Sequence, residues 1–217
     1  MTTFTRYYEN QELIEFSMDE LEELIKDEAN KKIIAELIYQ RYYNRFLKLF
    51  FYNSKIKLIY KKKNTLNENE TLQNDFDTEY KNGFIIMTSC CLLIETIASY
   101  FEGNNQTKRS GNDVFNFIFT QAKEYNNELK VFLNEPFYKN VRCALLHQGE
   151  TYDKFKIRRD INVLYDKENK IINAKLFCDA LNKFLISYKH QLESEKWDNA
   201  IWDNCRLKLR HIIQNSR

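Results

Sequence analysis

Apolar residues along this chain of 217 residues recur mostly every three or four positions, the period of a helix with one buried face. The first such segment opens at Ser17-Met-Asp-Glu20, a capping-box pattern, and predicts an acidic helix running to about Glu28. A second, from about Lys31 to Lys62, carries Ile33, Ile34, Leu37, Ile38, Tyr42, Phe46, Leu49 and Phe50 at helical spacing. Asn64 to Asp77 is polar and reads as a loop. From about Thr78 to Glu102 the apolar positions Phe84, Ile85, Met87, Cys91, Leu92, Ile94, Ile97, Ala98 and Phe101 surround the helix on nearly all sides. Such a helix belongs in the middle of a bundle.

Gly103 is a natural stop for it, and a polar loop leads to Gly111. A further helix covers about Asn112 to Tyr125. Pro136 stands near the start of the next, which reads Phe137-Tyr-Lys-Asn-Val-Arg-Cys-Ala-Leu-Leu-His147 and ends near Gly149. Ile161 to Tyr165 and Lys170 to Ile172, joined by Asp166-Lys-Glu-Asn169, read as a small β-hairpin. Two amphipathic helices, about Ala174 to Leu192 and Trp197 to Ile213, follow. No repeat, low-complexity segment or linker divides the chain. The expectation is one domain over 1–217, with core helices in about 17–150 and the hairpin and C-terminal helices in about 155–214.

Composition strengthens the helical reading, because four Gly and one Pro are too few for a turn-rich β fold. The expected class is all-α, a helical bundle with a small hairpin insertion. Thirty-three basic and 31 acidic residues leave a net charge of +2, so no global field marks a nucleic-acid binder. Five cysteines, an odd number with Cys90 and Cys91 adjacent and no C-x-x-C, point to reduced thiols and away from a zinc site or disulfide frame. Met1 to Tyr8 lacks the apolar core of a signal peptide, and the apolar run Phe84 to Ile94 is short for a bilayer. A cytoplasmic protein with no membrane partner is expected.

The candidate chemistry lies in Arg142-Cys-Ala-Leu-Leu-His147, an R-x4-H segment. Spacing alone does not select it, since Arg206-Leu-Lys-Leu-Arg-His211 fits as well. Context favours the first. Phe137, Val141, Ala144 and Leu145 form one apolar stripe, and Arg142 and His147 flank it. Between them on the far face lie Cys143 and Leu146, an apolar strip that calls for cover by the C-terminal helices or by a second subunit. Arg142 and His147 stand about 140° apart on an ideal helix, so a frayed helix end or a two-fold partner is needed to bring such groups together. Glu95, in the most apolar helix, needs a partner because an unpaired buried carboxylate is costly, and Arg142 is the natural one. There it either orients the guanidinium or serves as plain structure.

Cys90-Cys-Leu-Leu-Ile-Glu95-Thr, Phe101-Glu-Gly103, Phe115-Asn-Phe-Ile118, Phe137-Tyr138 and Val141-Arg-Cys-Ala-Leu-Leu-His-Gln-Gly-Glu150 together resemble the HEPN superfamily, over roughly Thr78 to Ile213. That resemblance implies a helical bundle that dimerises through the Arg142–His147 helix, each protomer giving its Arg and His to one cleft. It implies a metal-independent, cofactor-free endoribonuclease for single-stranded or loop RNA, of the kind found in antiphage defence and in toxins with antitoxin partners. Catalytic residues would then be Arg142 and His147, with Glu95 orienting. Imidazole titrates near neutrality and suits proton transfer, and the guanidinium fork suits a charged phosphate. Lys154, Lys156, Arg158 and Arg159 follow closely and are candidate RNA-phosphate contacts, as is Lys61-Lys-Lys63.

Two positions depart from the family pattern. Cys143 stands where active members often carry a polar residue, and Gly149 where the adenylylated toxins carry Tyr. A non-catalytic interaction or dimerisation module of the same fold is the rival reading. A small-nucleotide sensor is a third, without a Gly-rich phosphate loop to support it.

Overall fold

A computed structural model describes residues 2–51, 82–106 and 109–217. The predicted helix tail beyond 51, the loop Asn64 to Asp77 and the lysines 61–63 lie outside the described residues. Elements run in the order β1 (Thr3–Glu9), β2 (Glu12–Ser17), α1 (Met18–Leu24), α2 (Lys31–Tyr42), α3 (Gly83–Glu102), α4 (Gly111–Tyr125), α5 (Ala144–Gln148), β3 (Lys156–Arg158), β4 (Tyr165–Asp166), β5 (Ile171–Asn173), α6 (Ala174–Ser194) and α7 (Ala200–Asn215). A π-helical turn, Tyr43–Leu47, prolongs α2. A 3-10 turn, Asn127–Phe132, follows α4, and a π-helical stretch, Tyr138–Cys143, leads into α5.

The chain is mostly helical, as expected, and carries two small sheets, the first of which, at the N-terminus, the sequence did not predict. In the first, β1 and β2 pair antiparallel with Tyr7 opposite Ile14. Asn10 and Gln11 close the hairpin with φ of 48° and 72°, the left-handed pair that a two-residue turn requires. In the second sheet β5 is central, antiparallel to β4 and parallel to β3. Of the expected first hairpin strand only Tyr165 pairs, joined by Asp166 from the expected turn, and Lys156–Arg158 forms an added strand.

Local signals placed the helix ends. The Ser17 N–H donates to Glu20 Oε2 at 2.8 Å, and the Glu20 N–H donates back to Ser17 Oγ at 3.2 Å, closing the capping box of α1. α1 ends at Leu24, short of the expected Glu28, and a 3-10 turn, Glu28–Asn30, bridges to α2. Gly103 and Gly149 end α3 and α5 with φ of 65° and 68°.

α3 packs against α4, α6 and α7 and the turn after α2. Met87, Cys90, Cys91, Leu93 and Ile94 are fully buried, as a helix in mid-bundle must be. By length and composition it is also the one described helix apolar enough to cross a membrane, longer than the eleven-residue run marked in the sequence. More than half of it is packed inside the fold.

Much of the core is aromatic. Phe137 contacts Phe115, Phe119, Phe132 and Phe177 with ring centroids 5.3 to 5.6 Å apart, gathering α4, the 3-10 turn and α6 around the start of the Arg142 helix. A second cluster joins Tyr42, Tyr100 and Tyr188, with the Tyr42 and Tyr100 hydroxyls 3.0 Å apart. Burial raises all three phenols, and it pushes Tyr39 up to about 12.

This sets an alkaline limit on the fold. An unfolded chain ionises tyrosine near pH 10 and the folded one holds it neutral, so stability is full below about 10 and falls as pH rises further. Titration followed at 295 nm is expected to show a block of phenols ionising together, at the pH where the helical circular dichroism is lost. Smooth ionisation of every tyrosine in the folded state is the contrary result.

Candidate functional site around Arg142

The π-helical stretch arises where the backbone steps out of α-helical bonding. The Ala144 N–H bonds Val141 O, and the carbonyl of Asn140 instead accepts the Tyr152 N–H at 2.9 Å. Asn140, buried itself, donates from Nδ2 to Asp153 at 3.4 Å, and Asp153 pairs with Lys170 at 2.7 Å. The loop after α5 is thereby folded back along the helix that carries Arg142.

Arg142 projects from the end of this stretch onto α3. Its Nε donates to Glu95 Oε1 at 2.7 Å and its Nη2 to Oε2 at 3.2 Å, a two-point fork. Partial burial works against the charged guanidinium, yet the hydrogen bonds and charge of Glu95 outweigh it and raise Arg142 above its ordinary value. The Tyr138 ring lies 5.4 Å from the guanidinium carbon, and a hydrogen bond to the Cys143 thiol, with burial, raises the Tyr138 phenol. Glu95 occupies one edge of the guanidinium. Three of the five N–H groups, including both on Nη1, make no hydrogen bond among the described residues.

His147, one turn on, is exposed just before Gly149 and makes no hydrogen bond or ion pair among the described residues. The structure therefore joins Arg142 with Glu95 and leaves His147 outside that cluster. The strip between them is open: Leu146 is 36% exposed and Cys143 is half-buried, and the C-terminal helices do not close over either. On α3, Leu92, one turn before Glu95, is 39% exposed.

The four candidate phosphate contacts are engaged differently. Lys154, held at a left-handed φ of 62°, and Lys156 are exposed. Arg158 is paired with Asp160 at 2.5 Å, and Arg159 donates to Asn82 Oδ1 at 2.6 Å beside the start of α3. Lys156 and Arg158 share one face of β3 by strand alternation.

The second R-x4-H segment serves packing. Arg206 lies 4.3 Å from the Trp197 ring, donates to the Trp197 carbonyl at 2.7 Å and pairs with Asp203, while His211 is half-buried. Among the described residues no group of three or more His, Cys, Asp or Glu gathers as a metal site.

Sequence reasoning missed a groove of about 570 Å³ that includes Glu95 in its lining. Arg41, Arg45 and Lys208 line it together with Glu95. No motif signals it, because Arg41 and Arg45, one turn apart, meet the distant Lys208 only through packing. No protein-family model, curated protein or solved structure matches this chain.

Proposed function

We propose that the protein is a HEPN-type endoribonuclease that acts on single-stranded or loop RNA as a two-fold dimer. One observation carries this reading. Glu95 grips one edge of Arg142 and leaves the rest of the fork free, while His147 stands unengaged across an uncovered apolar strip. In a single subunit these groups do not meet. A two-fold axis through Cys143 and Leu146 brings two arginines and two histidines to one seam and covers Leu146.

The chemistry then follows from the residue types. The His147 imidazole of one protomer takes the 2′-OH proton as that oxygen attacks the adjacent phosphorus. The His147 imidazole of the other gives a proton to the departing 5′-oxygen. Free Arg142 N–H groups stabilise the charge gathering on the phosphate oxygens. The products are a 2′,3′-cyclic phosphate and a 5′-hydroxyl. A place in antiphage defence or beside an antitoxin belongs to the same proposal.

The test is incubation of the full chain with single-stranded RNA in EDTA, alongside light scattering. Cyclic or 3′-phosphate ends from a dimer are expected, and DNA, lacking the 2′-OH, is expected to survive. A folded dimer that leaves RNA intact favours the interaction-module reading, in which the Arg142–Glu95 fork is structural. A monomer at tens of micromolar removes the shared cleft.

A further inference from the structure

Most arginines in the described residues face a carboxylate: Arg6 with Glu15, Arg109 with Glu102, Arg142 with Glu95, Arg158 with Asp160, Arg206 with Asp203 and Arg217 with Glu22. The groove between α2, α3 and α7 is different. Arg41, Arg45 and Lys208 line it, and none has an ion pair among the described residues. Among the described residues its one lining carboxylate, Glu95, has both oxygens committed to Arg142.

Arg41 and Lys208 are held in place without being neutralised. Arg41 is only 7% exposed. Its Nη1 donates to the Phe4 carbonyl and its guanidinium carbon lies 4.4 Å from the Phe4 ring, but its buried Nε has no partner among the described residues. Lys208 donates to the carbonyls of Asn104 and Asn105 at 3.0 and 3.3 Å. Arg45, one turn after Arg41, reaches solvent, yet burial against the groove wall and then the charge of Arg41 push its pKa down. Burial does the same to Lys208. A buried, unsatisfied donor beside like charges costs free energy until an anion arrives.

We propose that this groove binds a phosphate group, its oxygens taken by Arg45, Lys208 and the buried Arg41. Three donors of positive charge suit a group with several acceptor oxygens and more than one negative charge better than a single carboxylate. The volume, about 570 Å³, exceeds what a lone phosphate fills and is in the range of small-molecule sites. Leu92 and Ile212 supply an apolar wall for the remainder of the ligand. That ligand is a phosphorylated small molecule of nucleotide size or a phosphodiester within a strand, and the chemistry of capture is shared. The site stands whether or not Arg142 and His147 cleave RNA.

The test titrates the full chain with inorganic pyrophosphate, with AMP and with a single-stranded DNA decamer, which lacks the 2′-OH and is not consumed. Melting curves and equilibrium binding are read against sodium chloride of matched ionic strength. Pyrophosphate or AMP is expected to raise the melting temperature. Arg45→Gln with Lys208→Gln is expected to weaken binding by about tenfold or more. Arg45→Gln alone, at a solvent-reaching position, guards against misfolding of the double variant, and Lys183→Gln, an exposed change outside the groove, is expected to bind as the parent does. A response to the small phosphates alone identifies a small ligand. Decamer binding that the double variant weakens identifies a strand. No binding beyond matched salt, or binding of every ligand unchanged in both variants, overturns the proposal.

Discussion

His147→Ala is expected to lower RNA cleavage by at least about 100-fold, the scale at which a positioned proton-transfer group contributes. Its melting curve is expected to stay within about 0.5 kcal/mol of the parent, because an exposed side chain without partners adds little to the fold. Arg142 needs a gentler change. Arg142→Ala strands the carboxylate of Glu95, only 22% exposed, and costs stability together with activity. Arg142→Lys keeps the charge and loses the fork, so cleavage is expected to fall roughly 10-fold or more with a smaller loss of stability. Product ends and melting temperatures measured on the same samples separate the two effects. Cleavage that persists in both His147→Ala and Arg142→Lys removes this helix from the chemistry.

Phe137→Ala is expected to be the most damaging single truncation near the site, costing about 3–5 kcal/mol. Its ring is fully buried and meets four others from three neighbouring elements, so removal opens a cavity that rigid aromatics cannot refill. That is a large share of the total stability of about 5–15 kcal/mol typical of one domain. Phe137 also anchors the π-helical stretch, so Arg142 is expected to lose its register on Glu95 along with the packing. Urea denaturation reads the first effect. Phe137→Leu, which keeps much of the volume, is expected to recover most of it.

The legible parts of this fold were those fixed by local chemistry. Ser17 and Glu20 announce their own capping box, Gly103 and Gly149 mark their helix ends, and the all-round apolar surface of Gly83–Glu102 places it centrally. Glu95 within that helix demanded a cation, and Arg142 supplies it. The N-terminal hairpin was not legible because Asn10-Gln11 turns the chain without the glycine that usually marks such a turn. The strand Lys156–Arg158 exists only through its pairing with Ile171–Asn173, a non-local partner. The π-helical stretch depends on the Tyr152 N–H reaching Asn140, and periodicity has no way to show that bond. The cationic groove is the extreme case, assembled by tertiary packing from α2 and α7.

Cys90, Cys91, Cys178 and Cys205 are buried, and burial raises the thiols of Cys90, Cys91 and Cys205, so all four are shielded from electrophiles. Cys143 alone is partly open, and it lies in the strip between Arg142 and His147. A maleimide dye is therefore expected to attach at one place in the folded chain, giving a reporter at the candidate seam without any engineered residue. Its rate of attachment becomes a gauge of assembly. Labelling that slows as protein concentration rises means that the seam closes, and a rate independent of concentration means that it stays open.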